Sequence, residues 1–598
     1  MPHILNDFAI TVATANGSGS QSSNNVLVRT LFRMGLPVGG KNLFPSNIQG
    51  LPTWFTIRVN EEGFTARKRL ADIAVAMNSA TALQDLKLVR PGGFVFVNAD
   101  IKLPPDAAPA GVNMIFVPFK SIIDQVTESP KLKKLAINMV YVGVLAELLQ
   151  LPDAAVNETL HHQFGDKTSV IELNIKAIAA GRAYTQVHLK DLNFPFRAST
   201  LAGHNRGKIL IDGNTASAMG MVFGGCTVVA WYPITPSSSV VESFIELAEK
   251  YRVKDGKRDF AVVQAEDELA SIAMVTGAGW AGARAFTATS GPGLSLMSEA
   301  AGLCYYAEIP AVIWDVQRVG PSTGLPTRTM QGDLLSAYHL SHGDTKHVVL
   351  IPGCAEECFE FGQAALDLAE RLQTLVIVLS DLDLGMNLHI GEKFSYPVKP
   401  MDRGKVLTAA DLEKLGKFQR YKDVDGDGIP YRTLTGTEHP LAAYFTRGTG
   451  HDEGGLYSEN PDVYKANMDR LARKFATAAT LVPAPTVYRT NGAKAGVLFY
   501  GSTLPAAQEA RHQLQKLGIE TSSFRLRALP FNDELEDFLH DHDSIYVVEQ
   551  NRDAQLMSIL RSELPQYWQK CHSVLHYDGL PIDAETIVTQ ILAHEGQK

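Results

Sequence analysis

Four stretches of the sequence pair reactive residue types with a turn that could present them. In Trp231-Tyr232-Pro233-Ile234-Thr235-Pro236-Ser237-Ser238-Ser239, a threonine sits between two prolines directly after the apolar run TVVAW. The prolines fix φ and bar regular strand pairing, so Tyr232 to Pro236 form a rigid, extended turn. Ser237 to Ser239 are expected to lend capping hydroxyls to the helix VVESFIELAEKY. A turn at the carboxyl end of a parallel strand is where open α/β sheets bind ligands.

Ala265-Glu266-Asp267-Glu268 ends a second strand and opens a helix. Carboxylates are stabilised at a helix amino terminus by the dipole alone, so position has to separate them. Glu268, Ile272 and Val275 share one helical stripe, and the stripe is otherwise apolar. Glu266 and Asp267 can stay in water while Glu268 faces packed surface, as a proton-exchanging carboxylate does. Thr289-Ser290-Gly291-Pro292-Gly293 is a third strand-to-helix turn. In the fourth, Arg318 follows a buried strand and stands among glycines and serines. Its planar fork matches a carboxylate. Thr235, Glu268, Ser290-Gly291 and Arg318 should therefore meet at one sheet edge, in a concave, largely apolar pocket with a few polar groups.

Two motifs mimic other chemistry. Gly277-Ala278-Gly279-Trp280-Ala281-Gly282 spells G-x-G-x-x-G, but helical spacing precedes it where a dinucleotide site needs a strand. It reads as close packing through small residues. Asp423-Val424-Asp425-Gly426-Asp427-Gly428 resembles half an EF-hand loop, yet the twelfth position is Leu434 rather than a bidentate glutamate, so no metal is assigned. The cysteines are five: Cys226, Cys304, Cys354, Cys358 and Cys571. That number is too sparse for a disulfide framework or a local iron–sulfur site. Cys354 and Cys358 read as small buried groups on one helix face.

These turns need parallel sheets to hold them, and the chain supplies an α/β pattern throughout. Residues 1–190 form one α/β unit, in which a strand through Phe8–Ala15 enters the loop Asn16-Gly17-Ser18-Gly19-Ser20 and then a helix. A linker spans 191–208. Residues 209–386 alternate short apolar runs with helices, the pattern of a parallel sheet covered on both faces. Residues 387–485 read as an irregular connecting segment, and 486–598 as a smaller α/β domain. With 55 basic and 64 acidic residues the net charge is -9, which disfavours nucleic-acid binding. No run approaches the ~18 apolar residues of a membrane span, and the first residues lack the pattern of a secretory signal. A cytoplasmic enzyme is the expectation.

The runs YPITPSS (232–238), AEDELASIAMVTGAGWAGARAFTATSGPG (265–293) and DVQRVGPSTGLPT (315–327) resemble, in order and spacing, the α subunit of 2-oxoacid:ferredoxin oxidoreductases. By that resemblance residues 1–190 are a fused γ-type domain on the coenzyme A side. Residues 209–386 are the pyrimidine-binding-type thiamine diphosphate domain, and 486–598 a transketolase C-terminal-like domain. Enzymes of this kind decarboxylate a 2-oxoacid on thiamine diphosphate and pass electrons through iron–sulfur clusters to ferredoxin. They transfer the acyl group to coenzyme A, and the reverse direction fixes CO2. The resemblance assigns Glu268 to the aminopyrimidine ring nitrogen, with Ser290 and Gly291 beside the cofactor. It assigns Tyr232, Pro233, Ile234, Thr235 and Pro236 to substrate contact, and Arg318 to the substrate carboxylate or the reacting carbonyl side. It leaves Mg²⁺ and a 4Fe-4S cluster to a β subunit, with which the chain would form (αβ)2, and it implies that ferredoxin docks mainly there. γ–α fusions of this size resemble 2-oxoglutarate or broad-range 2-oxoacid enzymes, and 2-oxoglutarate is the substrate expected from that resemblance. Two other readings stay open: a non-redox thiamine-dependent decarboxylase or transferase subunit, and a non-catalytic scaffold subunit.

Overall fold

The computed structural model describes residues 3–45, 50–104 and 106–596. Three principal sheets organise them. The central one has seven strands, in the spatial order Ala261–Gln264, Val228–Trp231, Ala285–Thr289, Ala311–Gln317, Leu375–Asp381, Val348–Leu350 and Ala528–Leu529. The first six run parallel, and the last is antiparallel. Strand Ala311–Gln317 is buried at every position. Val312, Trp314 and Val316 enter the core on one face, and Ala311 and Ile313 enter the core on the other. That two-sided burial explains why these strands are apolar runs rather than alternating ones.

The amino-terminal sheet has eight strands, from Asn113–Val117 at one edge to Lys208–Asp212 at the other. Its last two strands come from later sequence. Leu388–Glu392 pairs antiparallel with Lys208–Asp212 over its whole length and meets Val38–Leu43 at Gly40. Thus the strand at which the sequence reading opens the second unit is an edge of the first sheet. The carboxy-terminal sheet has five strands, with Ala495–Tyr500 between Thr521–Leu526 and Ser544–Glu549. Just after it leaves this sheet, the chain adds Ala528–Leu529 to the central one.

The stretch expected to be irregular contains an 18-residue helix, Pro461–Ala478. Asn460 caps it, accepting from the Asp462 N–H at 2.8 Å, with proline in the first turn. The helix escapes an apolar-periodicity reading because its buried face is largely polar: Asn467, Arg470 and Lys474 line it beside Leu471. Arg470 and Lys474 both donate to the fully buried Glu308, at 2.6 and 2.8 Å. Burial alone would raise the Glu308 carboxyl, but these two cations outweigh it and hold the group down at about 2.

Gly279 explains the G-x-G-x-x-G run. It lies in the helix Glu268–Trp280, where a Cβ would fall 1.9 Å from the Pro310 carbonyl oxygen. Gly277 has open space around it, so one glycine is there for packing. The acidic turn is held together internally. Asp423 accepts from the Gly426 and Gly428 N–H groups, and Lys405 bridges Asp425 and Asp427. Cys358 is buried inside the helix Ala355–Leu372, whereas Cys354 is the residue before its first turn.

Candidate active site

The carboxyl ends of four adjacent parallel strands bring the candidate residues together. Val228–Trp231 leads into the proline turn, Ala261–Gln264 into Glu268, Ala285–Thr289 into Ser290-Gly291, and Ala311–Gln317 into Arg318. The registers Trp231↔Gln264 and Thr289↔Asp315 set those ends side by side.

The proline turn is closed by its own hydroxyls. The peptide Thr235-Pro236 is cis. Ser237 and Ser238 both donate their hydroxyls to the Ile234 carbonyl, at 3.0 and 3.3 Å. This corrects the capping role expected of the serines: the helix Ser238–Tyr251 has no side-chain cap, because those hydroxyls are spent one turn earlier. A residue not singled out in the sequence completes the support. Asn214, fully buried in the preceding helix, donates to the Pro236 carbonyl at 2.9 Å and to Ser239 Oγ at 2.8 Å. Tyr232 and Pro233 are exposed, and Ile234 and Thr235 are half-buried.

The three carboxylates of the second turn have separate places. Glu266 is exposed. Asp267 caps the helix, accepting from the Ala270 N–H at 2.8 Å. Glu268, the first helical residue, is 6% exposed, with Ile272 and Val275 buried on the same stripe. No hydrogen bond reaches its carboxylate among the described residues. The glycines of the third turn make room for two carboxylates, Gly293 for Glu268 and Gly291 for Asp333. A Cβ at Gly293 would fall 2.9 Å from Glu268 Oε1, and one at Gly291 would fall 2.8 Å from both Asp333 carboxylate oxygens. Ser290 Oγ is buried without a partner.

Arg318 joins these parts. Its Nη1 donates to the Thr235 carbonyl oxygen at 2.7 Å, and its Nε is buried without a partner. Burial draws its pKa below the ordinary value, opposed by the fields of Asp333, Asp315 and Glu268. Those two aspartates were missed in the sequence. Asp315 is fully buried in the strand leading to Arg318, and among the described residues no donor reaches either of its oxygens. Burial and the neighbouring Asp333 carboxylate push it well above the carboxylate range; burial raises Asp333 to about 6. The only sequence signal for Asp315 is a charge interrupting the buried run AVIWDVQ.

The rim of the cluster is apolar and exposed, with Tyr232, Val263, Leu269 and Leu296 each about two-fifths to one-half exposed. Several clefts lie away from it. One of about 250 Å³ is bordered by Asn16, Gly17, Gly19 and Ser20 together with Asn42 and Trp54, at the Gly/Ser loop of the amino-terminal domain.

Residues 219–413 match the family model for pyruvate flavodoxin/ferredoxin oxidoreductase, thiamine diphosphate-binding, and residues 9–184 match that for pyruvate ferredoxin/flavodoxin oxidoreductase. Subunit alpha of 2-oxoacid:ferredoxin oxidoreductase 2 from Aeropyrum pernix is 30% identical, with 93% of each chain covered. The chain belongs to the 2-oxoacid:ferredoxin oxidoreductase α-subunit family. Within it, the 2-oxoglutarate synthase subunit KorA of Archaeoglobus fulgidus is 35% identical across 57% of this chain and 88% of its own. A solved 2-oxoglutarate:ferredoxin oxidoreductase from Magnetococcus marinus, with 2-oxoglutarate, coenzyme A and succinyl-CoA bound, superposes with a TM-score of 0.88. It is 30% identical and covers 98% of this chain and 99% of its own. As a 2-oxoacid:ferredoxin oxidoreductase α subunit, the chain is part of an oxidoreductase, and its central parallel sheet lies largely within the thiamine-binding match.

Proposed function

We propose that this α subunit works with a β subunit to decarboxylate 2-oxoglutarate oxidatively, giving succinyl-CoA, CO2 and reduced ferredoxin. The observation that carries this reading is the meeting of Glu268, Thr235 and Arg318 at adjacent strand ends. The ligands named for the Magnetococcus marinus enzyme and the KorA relatives support the choice of substrate.

The residues present fit the aminopyrimidine side of thiamine diphosphate. Among the described residues Glu268 offers a carboxylate with no protein donor on it, and Gly293 keeps the space beside it clear of a Cβ atom. When bound, the thiazolium of that cofactor supplies the carbanion and the electron sink that decarboxylation needs. Glu268 would hold a ring nitrogen of the pyrimidine and exchange its proton there. Arg318 would orient the substrate carboxylate, its guanidinium anchored to the proline turn through the Thr235 carbonyl. Tyr232, Pro233, Ile234 and Pro236 would shape the pocket wall around Thr235. Ser290 and Gly291 would lie against the cofactor.

The β subunit would bring Mg²⁺, a 4Fe-4S cluster and the surface that encloses the cofactor. The helix Glu268–Trp280 supports this division, since Leu269, Met274 and Trp280 are exposed on one side while Ile272 and Val275 are buried on the other. Ferredoxins are acidic as a class, and a net charge of -9 on this chain would direct them to the β subunit. The amino-terminal domain would lie on the coenzyme A side, the assembly would be (αβ)2, and the compartment the cytoplasm. Among the described residues no helix is long and apolar enough to cross a membrane.

The test is to purify the complex from its native host. Its visible spectrum and its coenzyme A-dependent viologen reduction are then recorded with pyruvate and with 2-oxoglutarate. Iron and acid-labile sulfide should follow the β subunit, and 2-oxoglutarate should be the faster substrate. Stoichiometric iron on the isolated α chain, or a complex that reduces viologen with neither acid, would refute the reading.

A further inference from the structure

Asp315 and Asp333 form an unusual constellation. Asp315 lies two strand positions before Gln317, which leads into Arg318; it is fully buried, with no donor on either oxygen among the described residues. Asp333 arrives from a different segment. Gln317 Oε1 fixes its backbone by accepting the Asp333 N–H at 3.0 Å, and Gly291 leaves room for its carboxylate. Asp333 Oδ2 also lacks a donor. Two carboxylates that neighbour each other in a buried site cannot both stay ionised, so they share a proton and keep one charge. The charged groups acting on the pair are Arg318 and, through it, Glu268. Asp381, on the neighbouring strand, accepts instead from Ser502 Oγ. Thr289, Ser290 and Gln317 complete the surroundings without charge.

Neither aspartate forms an ion pair in contact with Arg318; among the described residues its one hydrogen-bond partner is the Thr235 carbonyl. The guanidinium thus feels a counter-charge while most of its donors remain open to a ligand. We propose that Asp315 and Asp333 are a positioning pair, carrying one proton and one negative charge between them, that limits how tightly Arg318 grips the 2-oxoacid carboxylate. The proposal rests on the reading of Arg318 as the carboxylate clamp. The chemistry calls for such a limit. The carboxylate must leave as CO2, and binding that favours the ground state over the transition state slows its departure. A counter-charge beside the clamp weakens the ground-state hold.

The prediction is a fall of KM and kcat together when the charge is removed, the pattern of lost ground-state destabilisation. In the αβ holoenzyme, assayed by viologen reduction with a 2-oxoacid ionised throughout, both constants should fall as pH drops through about 6, where the pair gains its second proton. At neutral pH Asp333→Asn should show low 2-oxoacid KM and low kcat, each changed on the order of tenfold for the lost charge, because burial keeps the remaining Asp315 carboxyl protonated. Its KM for coenzyme A should not move. An Asp333→Asn enzyme whose 2-oxoacid KM is unchanged or raised would overturn the proposal and leave the pair a structural role. Should that variant not assemble, a wild-type KM that is flat or rises towards acid pH overturns it equally. Arg318→Ala is the reference. If it leaves the 2-oxoacid KM untouched, the clamp reading itself is wrong, a different failure from an unresponsive Asp333→Asn.

Discussion

The guanidinium of Arg318 and the carbonyl oxygen of Thr235 are 2.7 Å apart, although 83 residues separate them in sequence. This bond ties the end of one buried strand to the proline turn that follows another. A substrate carboxylate drawn to the arginine is thereby aimed at the turn, and the two loops cannot shift independently. Glu268 enters from a third loop. On the proposed reading the three groups have different duties, and their substitutions should fail differently.

Glu268→Gln keeps the shape of the side chain and removes its exchangeable proton. Deuterium exchange at C2 of bound thiamine should slow by ~10²-fold or more, the usual loss for a general acid–base group. Arg318→Ala should leave that exchange intact and impair turnover of 2-oxoacid, with charge-assisted hydrogen bonds worth roughly 1.5–3 kcal/mol lost. Glu266→Gln, on the exposed side of the same turn, is the control and should be nearly silent. Exchange measured in the αβ complex decides the matter: equal defects in Glu266→Gln and Glu268→Gln would remove Glu268 from its role.

Gly293→Ala tests the space beside that carboxylate. The new Cβ would meet Thr289 Oγ1 at 2.1 Å, Glu268 Cγ at 2.7 Å and Glu268 Oε1 at 2.9 Å. Overpacking of this kind costs typically about 1–3 kcal/mol. Because two of the three atoms met belong to Glu268, activity should fall far more than stability does. Thermal melting and C2 exchange, measured together, separate the two; an active Gly293→Ala enzyme would mean that the site tolerates a filled cradle.

The sheet strands and the four turns were legible because two-sided burial writes itself as short apolar runs, with Gly, Pro and Ser at the carboxyl ends. The strand expected through Phe8–Ala15 is found as Asp7–Ala15. What escaped has a common physical cause: it lies where polar groups are buried against partners distant in sequence. The helix Pro461–Ala478 turns Arg470 and Lys474 inward, towards a glutamate more than 160 positions earlier. Strand Leu388–Glu392 finds its partners at Lys208–Asp212 and Gly40. Asp315 and Asp333 belong to strand and loop segments whose meeting no local spacing encodes. Ser237 and Ser238 stand where capping hydroxyls should, and the cis turn uses them for its own carbonyl.

Glu308 offers a stability test remote from these turns. It is buried and paired with Arg470 and Lys474, so Glu308→Gln leaves two cations without their anion. Removing one partner of a buried pair typically costs about 3–5 kcal/mol. Its native pKa, near 2 against an ordinary 4.5, fixes the pH dependence. The folded state prefers the ionised form, so the contribution is whole above about pH 4.5 and is lost as pH falls from there towards 2. Denaturant titrations at neutral and acid pH should show the wild-type advantage over Glu308→Gln shrinking across that window. A gap that widens with acid would mean that the pair does not stabilise the fold.

Asn214 supplies the last test, because it supports the proline turn without belonging to it. Its amide donates to the Pro236 carbonyl and to Ser239 Oγ, on either side of the serines that close the turn. Asn214→Ala removes both bonds and strands a buried carbonyl, which costs about 1–3 kcal/mol. Asn214→Asp keeps the volume but faces the Pro236 carbonyl with an acceptor, so the turn should loosen again. The turn carries the Thr235 carbonyl that anchors Arg318, and loosening it should misplace the guanidinium. Both variants should therefore raise the 2-oxoacid KM while sparing C2 exchange at Glu268, which stands on a separate loop. Steady-state kinetics beside C2 exchange make the comparison. If Asn214→Ala slowed C2 exchange as severely as Glu268→Gln, the turn and the Glu268 helix would act as one unit, and the division of duties among the three loops would not stand.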